Sequence, residues 1–194
     1  MSKIVFLGNS GVGKSSILRR FKFDDFQLGK ESTIGCEFFA KIVTINGIEK
    51  KLLLWDTAGQ EVFRSFTQNF LRGSKVIVIV YDITNEKSIN EIDDWLKESS
   101  KQSQKPKIIL VGNKIDLPTS IDYQPKINGI IESNTNIELR IYDFGIVSAK
   151  NGKNVKELFD FIATKLDIPV NSSPTNSINL GDSNNNSGYT CCYI

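Results

Sequence analysis

Histidine is absent from the 194 residues of this chain, and that one absence closes several classes of chemistry. Ser–His and Cys–His nucleophile pairs, zinc sites built on imidazole and histidine pH switches all need the missing side chain. Cysteine is scarce, present only as Cys36 and the adjacent Cys191 and Cys192. Three thiols so placed make no disulfide framework, and they point to a reducing, cytosolic setting. No run approaches the ~18 apolar residues of a membrane span, and the N-terminus lacks a signal peptide's apolar core. Ser2 stands where N-myristoylation needs glycine. A net charge of +2 comes without the clustered Lys/Arg of a nucleic-acid face, so no nucleic-acid partner is expected. A hydrophobic fraction of 40% with 24% charged residues is ordinary for one globular domain plus a tail.

What is present begins with Gly8, Asn9, Ser10, Gly11, Val12, Gly13, Lys14 and Ser15, which read G-x-x-x-x-G-K-S. The apolar run 4–7 precedes this stretch and a helix-like one, starting at Ser16, follows it. Strand, glycine-rich turn and helix form the context in which the pattern is a phosphate cradle. Backbone N–H groups of the turn and the positive end of the new helix face an anion. Lys14 adds a point charge for β- and γ-phosphates, and the Ser15 hydroxyl is a ligand for Mg²⁺.

The rest of the chain alternates strand and helix patterns. Strands are expected at 3–7, 37–45, 50–56, 76–81, 107–111 and 140–147, and helices at 14–23, 88–98 and 154–166. Asn46-Gly47 is a hairpin signal, because both central residues of a type I′ turn need positive φ. One edge strand is therefore antiparallel in an otherwise mostly parallel six-stranded sheet with helices on both faces, an α/β doubly wound fold of the P-loop NTPase kind. Asn151 or Asn154 is the candidate cap of the last helix. Between 117 and 139 the pattern weakens to a loop with one irregular helix near 127–133. The domain should end at 167, and 168–194, rich in Asn, Ser, Pro and Gly, reads as a disordered tail.

Three more strand ends carry chemistry. Asp56-Thr57-Ala58-Gly59-Gln60 places a carboxylate for a water-mediated hold on Mg²⁺, a Gly59 N–H able to approach a γ-phosphate, and a Gln60 amide to orient an attacking water. In Asn113-Lys114-Ile115-Asp116 the Asp116 carboxylate matches the N1–H and N2–H₂ donors of guanine, a pair adenine lacks. Asn113 either reaches the base or ties neighbouring loops together, and the Lys114 stem can lie over the ring. In Ser148-Ala149-Lys150 the Ala149 N–H is a candidate donor to the base O6.

With those motifs in order, the chain resembles a small Ras-superfamily GTPase, and specifically a Rab. The broad likeness runs over 3–166 through GNSGVGKS, Thr33, WDTAGQ, NKID and SAK. The Rab likeness rests on STIGCEFF, LLLWDTAGQEVFRSF, FLRGS, YDIT and the terminal CCYI. It implies a Ras-like G domain, monomeric, that binds GTP and GDP with Mg²⁺, hydrolyses GTP and regulates vesicle traffic. Thr33 would put its hydroxyl on Mg²⁺ beside Ser15 and Asp56, and Phe26 would lean on the base. Segments 24–37 and 58–72 would be loops that switch with the γ-phosphate. Phe38, Trp55 and Phe70 match the aromatic triad that meets effectors, the plain alternative being that they are core. Implied partners are exchange factors, GTPase-activating proteins, a dissociation inhibitor, a prenylation escort and effectors. Val62, Phe39, Phe70-Leu71 and the long 117–147 stretch depart from the usual Rab pattern.

Cys191 and Cys192 read as a prenylation signal. One lipid chain binds membranes only marginally, and no polybasic run supplies a second signal, which favours two geranylgeranyl groups. A ~23-residue coil spans roughly 26 Å, enough to hang the domain clear of a cytoplasmic membrane face, with a soluble cytosolic pool. Alternatives of other classes are a Ras-like signalling switch, a non-cycling GTP-dependent scaffold and an ATP-using P-loop enzyme.

Overall fold

The computed structural model describes residues 2–29, 33, 35–45, 47–57, 64–134, 140–166 and 190–192, with the backbone alone for 64–67 and 190–192. The N-terminal apolar run forms β1 (Ser2–Leu7). Beside it lie β4 (Val76–Asp82), buried at every position, and β5 (Lys107–Asn113), buried at all but its first. Such unbroken apolar strands sit at the middle of a sheet covered on both faces. β2 (Cys36–Ile45) and β3 (Ile48–Thr57) form the expected hairpin, with Ile45 paired to Ile48 and Gly47 at φ 77°. With β6 (Ile141–Ile146) the order is β6-β5-β4-β1-β3-β2, all parallel except β2. A seventh strand, β7 (Thr190–Cys192), which sequence reasoning did not foresee, runs antiparallel beside β2 and brings Cys192 opposite Cys36. The remainder of the expected disordered tail, 168–189 and 193–194, lies outside the described residues.

Successive residues of the central strands serve opposite faces. Ile4, Phe6, Val78 and Val80 pack with Ile17 and Leu18 of α1 (Lys14–Phe23) and with Leu158, Phe159 and Ile162 of α6 (Val155–Lys165). Val5, Leu7, Ile77 and Ile79 pack with Leu71, Ile92, Trp95, Leu96 and Ile127 on the other side. Full burial of such a side chain contributes about 1.5–3 kcal/mol.

Four local expectations need correction. Helix α2 (Arg64–Leu71) occupies part of the segment read as a loop. Leu71 is wholly buried, and the Gln68 amide donates to Glu98 O at 2.9 Å, so tertiary contacts decide the helix. The helix expected at 88–98 starts earlier and is broken. Asn85 accepts from Lys87 N at 3.1 Å and starts α3 (Glu86–Asn90), while Glu91, at φ −86° and ψ 1°, separates it from α4 (Ile92–Ser100). α5 (Gln124–Ser133) is longer than expected and carries Pro125 in its first turn, where a missing N–H costs nothing. Asn154 does occupy the N-cap position of α6, but at φ 60° its amide donates to Ile146 O (2.8 Å) instead of capping. The Asn151 side chain accepts from Lys153 N at 3.0 Å.

A candidate nucleotide-binding site

The loops after β1, β5 and β6 leave the carboxyl ends of the parallel strands, where ligands of such folds bind. Gly8 ends β1 with φ 135° and Gly13 enters α1 with φ 98°. A Cβ at Gly8 would lie 2.1 Å from Val80 O, and one at Gly13 would lie 2.2 Å from Asn113 Nδ2. Only glycine fits either place. α1 has no side-chain cap and no acid in its first turn, so its N-terminal amides remain for an anion.

Lys14 is 5% exposed, and its ammonium donates to Gly8 O (2.8 Å) and Asn9 O (2.9 Å). Burial pulls its pKa down to about 8, while the Asp56 carboxylate pulls the other way. A phosphate arriving beside it would favour the charged form.

Of the two roles open to Asn113, the structure displays the tie between loops. Its amide donates to Val12 O at 2.9 Å and accepts from Ala149 N at 3.1 Å. The Ala149 N–H is thereby engaged, and it would serve a base oxygen only as a shared donor. Asp116 accepts from the Ser148 hydroxyl at 2.6 Å, and its other oxygen lies 4.0 Å from the Lys150 ammonium. Lys114, at φ 72°, pairs with the buried Asp82 at 2.6 Å. Asp82 also accepts from the Thr84 N–H and hydroxyl, at 2.9 and 2.7 Å.

Between these loops lies a cavity of about 400 Å³. Its walls include Ser10, Gly11, Gly13, Lys14, Ser15, Ser16, Phe26, Thr33, Asn113, Lys114, Asp116, Ala149 and Lys150. Gly8, Asn9, Val12, Asp56 and Ser148 sit behind that wall and shape it. Gln27, Leu28, Gly29, Thr57 and Leu117 also line it, unforeseen from sequence. The Ser15 and Thr33 hydroxyls lie 2.8 Å apart, and Asp56 is 5% exposed close to Lys14. Two adjoining hydroxyls, with a buried carboxylate near Lys14, offer hard oxygens of the kind Mg²⁺ takes. Gly59 and Gln60 lie outside the described residues.

Phe38 stacks on Trp55 across the hairpin, with centroids 4.9 Å apart, and both are half-buried. Phe70 is half-buried on α2, whereas Phe39 is buried in the core. The Lys3 ammonium sits 4.0 Å above the Trp55 ring. Cys191 and Cys192 lie on β7.

Beyond those lining residues, sequence reasoning missed two that hold the site from behind. Arg20 of α1 donates to Ala149 O at 2.9 Å and to Lys150 O, holding the base loop from a distance no local pattern reveals. Asp82 carried a faint signal, a carboxylate closing an all-apolar strand.

A glycine-rich cradle at a strand end, joined through a buried asparagine to a loop that carries a carboxylate, defines a P-loop nucleotide-binding domain. Residues 3–167 match the sequence profile described as "Ras family". The chain is 42% identical over 166 residues to human "Ras-related protein Rab-30", covering 84% of this chain and 79% of the relative. It is 38% identical over 201 residues to "Ras-related protein SEC4" of Saccharomyces cerevisiae, covering 98% and 90%. Against "Ras-related protein Rab-11B" of Dictyostelium discoideum it is 37% identical over 195 residues, covering 94% and 86%. The chain belongs to the Rab branch of the Ras family, small GTPases that bind GTP and GDP, hydrolyse GTP and regulate vesicle traffic.

Proposed function

We propose that this chain is a membrane-anchored switch whose GTP form recruits effectors and whose GDP form is released from them. The observation that carries the reading is the cavity in which the uncapped start of α1, Lys14 and Asp116 converge. Lys14 and the 10–16 backbone hold the phosphates, Asp116 selects guanine, and Phe26 covers the base. Mg²⁺, held by Ser15 and Thr33 with Asp56 behind them, would supply positive charge to the β- and γ-phosphates. Gln60 orients the water for in-line attack, with Gly59 and Thr33 against the γ-phosphate. Among the described residues that line the cavity none is an arginine, which supports slow intrinsic turnover. An activating protein that inserts one adds a factor on the order of 10³–10⁵.

Phe38, Trp55 and Phe70 form the effector surface. Half-burial beside two segments that change with the nucleotide supports that role over a purely structural one. Cys191 and Cys192 carry geranylgeranyl groups that hold the chain on the cytoplasmic face of a membrane. An escort presents it for prenylation, a dissociation inhibitor maintains the cytosolic pool, and exchange factors reload it with GTP.

Asp116→Asn tests the nucleotide assignment. Guanine nucleotide affinity should fall by about 10²-fold or more, with xanthine nucleotide affinity rising, as when a buried hydrogen-bonding match is broken and remade. Unchanged GDP affinity in that variant would remove the guanine reading.

A further inference from the structure

Asn9 contributes twice to the phosphate cradle, once by its backbone and once by its side chain. Its carbonyl is one of the two oxygens that hold the Lys14 ammonium. Its side chain reaches α4 instead of the cavity. The Trp95 indole N–H donates to Asn9 Oδ1 at 2.9 Å, and Asn9 Nδ2 donates to Glu91 Oε2 at 3.0 Å. An indole N–H only donates and a carboxylate only accepts, so the amide fits one way round with both ends engaged. Trp95 is 4% exposed, and Glu91 lies at the break between α3 and α4, where ψ is 1°. That break, unexpected from sequence, thus falls on the residue that grips the loop.

The cradle needs such support. Gly8, Gly11 and Gly13 all have positive φ, and a stretch so rich in glycine has little intrinsic preference for one conformation. α1 anchors the far end of the loop, and Asn113 holds Val12. The near end, where the two carbonyls face Lys14, is the part that Asn9 fastens to α4.

We propose that Asn9, Trp95 and Glu91 form a bracket that positions the carbonyls of Gly8 and Asn9, and through them Lys14, for the β-phosphate. The three are positioning residues, and α4 thereby sets how long GDP is retained. This inference rests on the guanine-nucleotide reading, and it assigns to α4 a task separate from its place in the core.

Trp95→Phe in the full chain removes the indole N–H and keeps an aromatic ring in the core. GDP release from this variant should quicken about tenfold, the size of one hydrogen bond. GMP, displaced against a fluorescent guanine nucleotide, should bind the variant and the unmodified chain equally, because it has no β-phosphate for Lys14. Equal losses for GDP and GMP would mean that Trp95 acts by general packing, and the bracket would be overturned. Asn9→Asp sets one carboxylate against another and should also speed release. Adding Glu91→Gln to it returns a donor to that contact and should restore slow release. No rescue in the double variant overturns the bracket, as does unchanged release in Trp95→Phe. An unmodified chain that held no GDP would overturn the nucleotide reading and the bracket with it.

Discussion

The two ends of the cavity are built differently. At the end proposed for the base and the inner phosphates, buried and half-buried groups join three loops, a helix and the end of β4: Asn113 to Val12 and Ala149, Arg20 to Ala149, Ser148 to Asp116, and Lys114 to Asp82. At the outer phosphate, Thr33 meets the cradle through one hydroxyl contact with Ser15 among the described residues. The described contacts thus leave the first end assembled without a ligand, and of the two nucleotides only GTP carries a γ-phosphate to the second. GDP and GTP share the first end and differ only at the second.

That contrast can be broken from either side. The largest effect is expected for Asn113→Ala, which leaves Val12 O and Ala149 N–H without the amide that joins them. Two buried hydrogen bonds are worth about 2–5 kcal/mol when cut, so titration with fluorescent GDP and with a non-hydrolysable GTP analogue should reveal comparable losses of roughly 10²-fold or more. Gln60→Ala should slow single-turnover hydrolysis on the order of 10²-fold and leave GDP affinity alone. Parallel loss of GDP binding would deny the separation of the two ends. Thr33→Ala should weaken the GTP analogue about tenfold, one hydrogen bond's worth. The smallest effect on the nucleotide site belongs to Phe38→Ala. Loss of one stacked pair costs about 0.5–1.5 kcal/mol, visible as a modest drop in thermal stability, while effector capture by the GTP form is lost.

The same contrast explains what could be read from sequence. β1, β4 and β5 are unbroken apolar runs because both their faces are buried, and the glycine-rich loop between β1 and α1 announces its geometry locally. Asn113 and Asp116 were legible because the short motif that holds both directly follows such a strand's apolar run. Helix α2 was not, since a polar run of Arg64, Ser65, Thr67, Gln68 and Asn69 hides a helix that Leu71 anchors from outside. Arg20, Asp82 and the Glu91–Trp95 pair act through contacts 32 to 129 positions away, a distance at which periodicity carries no information. The break at Glu91 escaped notice for the same reason, because glutamate is a good helix former and its partner Asn9 lies 82 positions away.

The most direct measurement is a pair of dissociation constants for Thr33→Ala, one for GDP and one for a non-hydrolysable GTP analogue, each set against the unmodified chain. If one end of the site is preassembled and the other is completed by the γ-phosphate, GDP affinity stays within about twofold while the analogue weakens about tenfold. Equal weakening of both nucleotides would contradict the account, because Thr33 would then belong to the end that GDP and GTP share.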